Sequence, residues 1–263
     1  MNRMERTFAR LKREGRAGLV GYLTAGDPDL ETSRADCRTA LKNGVDILEL
    51  GVPFSDPTAD GPVIQAASQR ALAGGMTLRK AIGLAGDLRQ EFPETPIILF
   101  GYANPFYRHG FEELARDAAA AGVDGFLVVD IPWEESADLR RALKAAGLCL
   151  IPLIAPTTSV ERAKKILKGA AGFVYYILVR GVTGGQSQAA DEARDHLAAL
   201  QAVTKLPVAA GFGIREGRQA AEYAQMASAV VVGSALVEAA RKGQLAEKVS
   251  ELHSALAERV GVE

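Results

Sequence analysis

Val45-Asp46-Ile47-Leu48-Glu49-Leu50 runs into Gly51-Val52-Pro53-Phe54-Ser55-Asp56-Pro57-Thr58-Ala59-Asp60-Gly61-Pro62, and a long segment of helical composition follows as far as Glu91. A short apolar run, a cluster of Gly, Pro, Asp and Thr, and a longer amphipathic stretch make one unit, and the unit repeats to the end of the chain. Comparable apolar runs occupy Leu19 to Thr24, Pro96 to Tyr102, Gly125 to Asp130, Leu148 to Ala155, Gly172 to Val179, Leu206 to Ala210 and Ser228 to Val232, which makes eight in all. They are rich in Val, Ile, Leu and Tyr without strict alternation, as parallel strands covered on both faces are. Helical periods fill the gaps. Phe111, Leu114, Ala115 and Ala118 fall at i, i+3, i+4 and i+7, Leu30, Cys37, Ala40 and Leu41 share a face, and Thr158 with Glu161 has capping-box spacing.

Eight such alternations in 263 residues predict an α/β fold, a single (β/α)8 barrel of the TIM type spanning 1–263 as one domain. An open doubly wound sheet has a similar rhythm, but the GxGxxG fingerprint after the first strand is missing. Met1 to Gly15 reads as an additional N-terminal helix closing the lower end of the barrel. Gly74-Gly75 divides the segment after the second strand into more helix than one crossover needs.

The balance of 31 basic and 32 acidic residues, with no Lys/Arg run, argues against a nucleic-acid partner, which requires a clustered basic surface. The two cysteines stand outside any CxxC and read as core residues from a reducing compartment. Neither a signal peptide nor a membrane span is legible, so a cytoplasmic globular protein is expected. His109, His196 and His253 lack ligand spacing, and no metal is expected.

Barrel enzymes place their chemistry where strands end and loops begin. Glu49 is the anomaly at those ends: a carboxylate inside an apolar strand, costing several kcal/mol if charged and unpaired. With Leu48 and Leu50 facing the helices, alternation turns Ile47 and Glu49 toward the barrel axis. There the carboxyl pKa should rise from about 4.3 toward neutrality, as a proton carrier requires. The competing structural reading is a Glu salt-bridged to an arginine across the barrel.

Asp60 is the natural second carboxylate, in a loop stiffened by Pro53, Pro57 and Pro62, and it should stay solvated and ionised. Asp56 and Asp60 flank Pro57, and turn-capping is the plain alternative for either. Glycine clusters at Gly181-Val182-Thr183-Gly184, Gly211-Phe212-Gly213-Ile214 and Gly233-Ser234-Ala235 form a potential backbone cradle for a phosphate; each alone could be a tight turn. Tyr22, Phe100, Tyr102, Phe126, Tyr175 and Phe212 lie on or near strand ends, suited to an aromatic substrate or to packing. Trp133 is a lid residue, a partner contact or packing against its own helix.

The stretch from Leu48 to Pro62 resembles the tryptophan synthase alpha chain family. Tyr22-Leu23-Thr24-Ala25-Gly26-Asp27-Pro28, Tyr102-Ala103-Asn104-Pro105, Asp130-Ile131-Pro132, Leu153-Ile154-Ala155-Pro156-Thr157-Thr158 and the glycine clusters extend the likeness along nearly the whole chain. The resemblance implies a lyase of tryptophan biosynthesis that cleaves indole-3-glycerol phosphate to indole and glyceraldehyde 3-phosphate. It further implies Glu49 as general acid and base, Asp60 as the carboxylate on the indole N–H, and Tyr175 as an auxiliary catalytic tyrosine. Tyr22, Phe100, Thr183 and Phe212 would bind substrate, and Gly184, Gly213, Ile214, Gly233 and Ser234 would hold its phosphate. No cofactor is implied in this chain. Pyridoxal phosphate would reside in a beta-chain partner, in an alpha2beta2 complex contacted through Asp56, Pro57, Asn104 and Pro132. Leu178 stands where the family commonly carries serine, and Val179-Arg180 also departs from the usual run. Alternatives within reach are a stand-alone lyase, another phosphosugar isomerase barrel and a non-catalytic activating subunit.

Overall fold

The computed structural model describes residues 1–177, 186–211 and 213–257. The chain starts with α1 (Arg3–Glu14), then β1 (Gly18–Thr24), α2 (Leu30–Lys42), β2 (Ile47–Gly51), α3 (Pro62–Ala73), α4 (Leu78–Glu91) and β3 (Ile97–Gly101). It continues through α5 (Ala103–His109), α6 (Phe111–Ala120), β4 (Gly125–Val128), α7 (Ala137–Ala145), β5 (Cys149–Leu150), β6 (Leu153–Ile154), α8 (Val160–Leu167) and β7 (Val174–Ile177). The last elements are α9 (Gln186–Gln201), β8 (Val208–Gly211), α10 (Gly217–Ala224), β9 (Ala229–Val232), α11 (Ser234–Arg241) and α12 (Leu245–Ala257).

All pairings are parallel, in the order β5-β4-β3-β2-β1-β9-β8-β7-β6. The strands at the two ends of that order, β5 and β6, are separated only by Ile151-Pro152, so the sheet closes on itself and the eight expected strands appear as nine segments. Proline has no N–H to give to a ladder, and the fifth strand changes partner at this point. The Ile151 N–H donates to the Phe126 carbonyl on one side at 2.7 Å, and the Pro152 carbonyl accepts from Tyr175 N–H on the other at 2.9 Å.

Apolar residues sort into two shells. Leu48, Leu50, Leu99, Val128, Tyr176 and Val230 face outward into the layer beneath the helices, with Cys37, whereas Val20, Tyr22, Ile47, Ile98, Phe100, Leu127, Tyr175, Ala209 and Val231 face the lumen. Strand alternation assigns these sides, and Ile47 points inward as expected. Cys149 is less enclosed than expected of a core residue: it is half-buried, with its thiol near the Asp124 carbonyl at 3.8 Å.

The N-terminal helix closes the lower end. Met4, Phe8 and Leu11 of α1 belong to the lumen cluster, and the Phe8 and Phe173 rings lie 5.8 Å apart. Asn2 and Glu5 make a reciprocal capping box at its start, and Gly15, at φ +66°, ends it. Two aspartates lock it in place. Asp46 binds Arg10 at 2.7 Å, Arg16 at 2.8 Å and the Leu19 N–H at 3.0 Å. Asp124 binds Arg3 at 3.1 Å and Arg89 at 2.7 Å. Burial opposes ionisation of Asp46, but the bonds from Arg16, the Leu19 N–H and Arg10 outweigh it and hold the carboxyl below its ordinary range.

The double helix after β2 forms as α3 and α4, divided at Gly74 and Gly75. At α8 the cap is shifted by one residue from the expected Thr158. Ser159 accepts the Arg162 N–H at 3.3 Å, because the Thr158 hydroxyl already accepts from the Ala155 N–H at 3.2 Å. Among the described residues no helix is long and apolar enough to cross a membrane.

Candidate active site

Glu49 sits in the middle of β2, pairing in register with Tyr22 of β1 and Ile98 of β3, and is 1% exposed. Its Oε1 has no hydrogen-bond partner, and among the described residues no ion pair engages it. The alternative of an arginine partner across the barrel would pull the carboxyl pKa down. Instead burial pushes it up to about 8. A side chain so placed is mostly neutral at pH 7 and can give or take a proton with little driving force either way.

Asp60 and Tyr175 share this mouth. Both carboxylates act electrostatically on Tyr22 and on Tyr175, whose hydroxyls burial and those charges hold well above the ordinary tyrosine pKa. Tyr22 is edge-on to Phe100, with centroids 5.1 Å apart, and its hydroxyl lies 3.3 Å from the Thr24 hydroxyl. That ring crosses the backbone of Gly51: a Cβ there would stand 2.2 Å from the Tyr22 hydroxyl oxygen, so only glycine fits. Gly211 gives Tyr175 similar room, since a Cβ would meet its hydroxyl at 3.0 Å and the Val231 Cβ at 2.6 Å.

The two aspartates around Pro57 occupy different settings. Asp56 is exposed and accepts from the Ser55 hydroxyl at 2.5 Å, a local turn contact. Asp60 is half-buried, and burial pushes its pKa up to about 6 against a hydrogen bond from Tyr102 that lowers it. It is therefore less solvated than expected, yet ionised at pH 7. Between about 6 and about 8 the pair holds one neutral acid and one anion.

The loop carrying Asp60 is held by residues that the sequence did not single out for it. Gln65 of α3 donates to the Asp60 carbonyl at 2.8 Å. Tyr102 accepts the Ala59 N–H at 3.0 Å and stacks on Phe54 at 5.1 Å. The strand-end aromatic at 102 was visible as a packing candidate, but nothing in the spacing tied it to a loop some forty residues earlier.

Gly213 and Gly233 follow the adjacent strands β8 and β9 and so share one sector of the rim. Gly213 has φ +74°, a left-handed conformation that favours glycine, and Ile214 behind it is buried. Gly233 caps α11 without any side-chain cap, leaving the amino end of that helix at Ser234 for an anion. A Cβ on Gly233 would stand 3.5 Å from the Tyr22 Cβ, which places this helix start beside the mouth. Thr183, Gly184 and Phe212, together with Leu178 and Val179-Arg180, lie outside the described residues.

On the rim Asp56, Asn104 and Pro132 are exposed and Pro57 is half-buried. Trp133 is half-buried against the core, with the Arg140 guanidinium 4.2 Å above its ring. The histidines are engaged structurally: His109 with Asp117, His196 with Tyr176 and the Thr158 carbonyl, and His253 against the backbone of Gly44. Among the described residues no cluster of three metal-ligating side chains occurs.

Residues 8–261 match the family model described as tryptophan synthase alpha chain. A tryptophan synthase alpha chain of Caulobacter sp. (strain K31) is 49% identical over 251 residues, covering 95% of this chain and 91% of that protein. The alpha chain of Zymomonas mobilis is 50% identical over 242 residues, covering 92% and 88%. Among solved structures, the tryptophan synthase alpha subunit of Legionella pneumophila superposes with a TM-score of 0.89 at 37% identity, over 97% of this chain and 98% of that one. A chain of M. tuberculosis tryptophan synthase in its aminoacrylate-bound form gives 0.88 at 34%, over 97% and 100%. With a lumen-facing acid on the second strand, an anion in the loop after it and an open helix start on the same rim, the chain belongs to the tryptophan synthase alpha chain family.

Proposed function

We propose that this chain, as one barrel domain in the cytoplasm, cleaves indole-3-glycerol phosphate to indole and glyceraldehyde 3-phosphate. The bond between indole C3 and the first glycerol carbon breaks only after C3 gains a proton and the neighbouring hydroxyl loses one. Neutral Glu49 gives its proton to C3, and the resulting carboxylate takes the hydroxyl proton as the aldehyde forms, which returns the acid to its starting state. Asp60, kept anionic, accepts the indole N–H and stabilises the positive charge that builds on the ring nitrogen. Tyr175 borders the reacting centre, while Tyr22 and Phe100, with Thr183 and Phe212, enclose the indole. Gly213, Ile214, Gly233 and Ser234, with Gly184, hold the phosphate by backbone N–H groups and the α11 dipole.

The observation that carries this reading is the buried, unpartnered Glu49 Oε1 beside Tyr22 and Tyr175. Acid, base and anion are all supplied by side chains, so the chain works without a cofactor of its own. Its indole passes to a beta chain holding pyridoxal phosphate, in an alpha2beta2 assembly seated on Asp56, Pro57, Asn104 and Pro132.

The test mixes the purified chain with indole-3-glycerol phosphate, without pyridoxal phosphate, and assays indole. Glu49→Gln should lower turnover by about 10² to 10⁴ while sparing binding of glycerol phosphate. A Gln variant that still turns over would remove the proton carrier from this mechanism.

A further inference from the structure

We infer that Tyr102 is a positioning residue for Asp60, its hydroxyl and ring together fixing the loop after β2 against the head of α5. The side chain is 3% exposed, and two attachments to the loop meet on it. Its hydroxyl oxygen accepts the Ala59 N–H at 3.0 Å, and its ring stacks on Phe54 at 5.1 Å with 29° between the planes. A backbone N–H can only donate, so the Ala59 contact uses a lone pair of the Tyr102 oxygen and leaves the hydroxyl proton free. That hydroxyl acts on Asp60 and lowers its carboxyl pKa against the burial that raises it. The loop from Val52 to Gly61 has no helix or strand of its own, and this tyrosine supplies what regular structure would otherwise supply.

The same residue is the N-cap of α5, whose next N–H, from Ala103, donates to Asp130 at 2.7 Å, while Asn104 one position further is exposed on the rim. A shift of α5 is therefore carried to the Asp60 carboxylate through one side chain. Among the described residues the titratable groups that interact with Asp60 are Tyr22 of β1, Tyr102 and Tyr175 of β7, with Glu49 of β2 acting on Tyr22 and Tyr175 and Asp130 acting on Tyr102. Of these, Tyr102 lowers the Asp60 pKa.

This inference rests on the proposed role of Asp60, and its test separates the two. Tyr102→Phe keeps the ring and its stack while removing the hydroxyl. Carbon-13 NMR of the labelled Asp60 carboxyl in the free chain, assigned with Asp60→Asn, should show its titration midpoint moving up by about one pH unit. In the indole assay, kcat should fall more than KM rises. The loss in kcat/KM should be about tenfold below pH 6 and narrow as pH increases. An unchanged Asp60 titration, or a loss equal at every pH, would overturn the inference. If the wild-type chain forms no indole, the proposed reaction fails, and the NMR titration still decides whether Tyr102 governs Asp60.

Discussion

A carboxyl that costs stability where it stands shows its use at the scale of the single residue. Burial raises the Glu49 pKa from an ordinary 4.5 to about 8, so between those values the folded chain holds a proton that the unfolded chain releases. Stability from this group is therefore fully present below about pH 4.5 and is lost as pH climbs through about 8. Glu49→Gln should remove that dependence. Its unfolding free energy relative to wild type should improve by about 3 kcal/mol between pH 5 and pH 8, read by urea denaturation at each pH. A constant difference across that range would mean the carboxyl is solvated. This residue was legible in the sequence because a charge inside an apolar run has few bland explanations. The choice between Asp56 and Asp60 was not legible, because it depends on which aspartate meets Tyr102, and that contact spans two strands.

Elements were legible wherever the pattern is local. All eight apolar runs became strands, and the helix at Met1 to Gly15, with its polar cap at Asn2 and its terminating glycine, stands where its composition placed it. The division of the fifth strand at Pro152 was hidden for the opposite reason. A proline shows that a ladder bond is missing, but the exchange of β4 for β7 as neighbour is a property of the closed sheet. The offset cap of α8 likewise turns on the competing Ala155 N–H. For α1, the prediction concerns packing. Phe8→Ala deletes a ring packed against Phe173 within the lumen cluster and should lower the unfolding free energy by about 3 to 5 kcal/mol, measured by denaturant titration. A cost below about 1 kcal/mol would show that the helix lies loosely on the barrel.

For the molecule as a whole, closure of the sheet gathers Tyr22, Glu49, Asp60, Phe100 and Tyr175, which are scattered over some 150 residues of sequence, at one mouth. The proposed docking face lies on the same rim, where Asp56 and Pro132 are exposed. The double change Asp56→Ala with Asn104→Ala, both exposed, should weaken beta-chain binding at least about tenfold, a 1.4 kcal/mol loss by calorimetry, while leaving the fold intact. Unchanged affinity would move the contact elsewhere. The helix α1 seated beneath the lumen has a consequence of its own. With the base stoppered among the described residues, indole and the triose phosphate would depart on the side their parent entered. Any subunit standing over that side thus intercepts the whole traffic, and the order in which the two products leave becomes a matter for the neighbour rather than for the barrel.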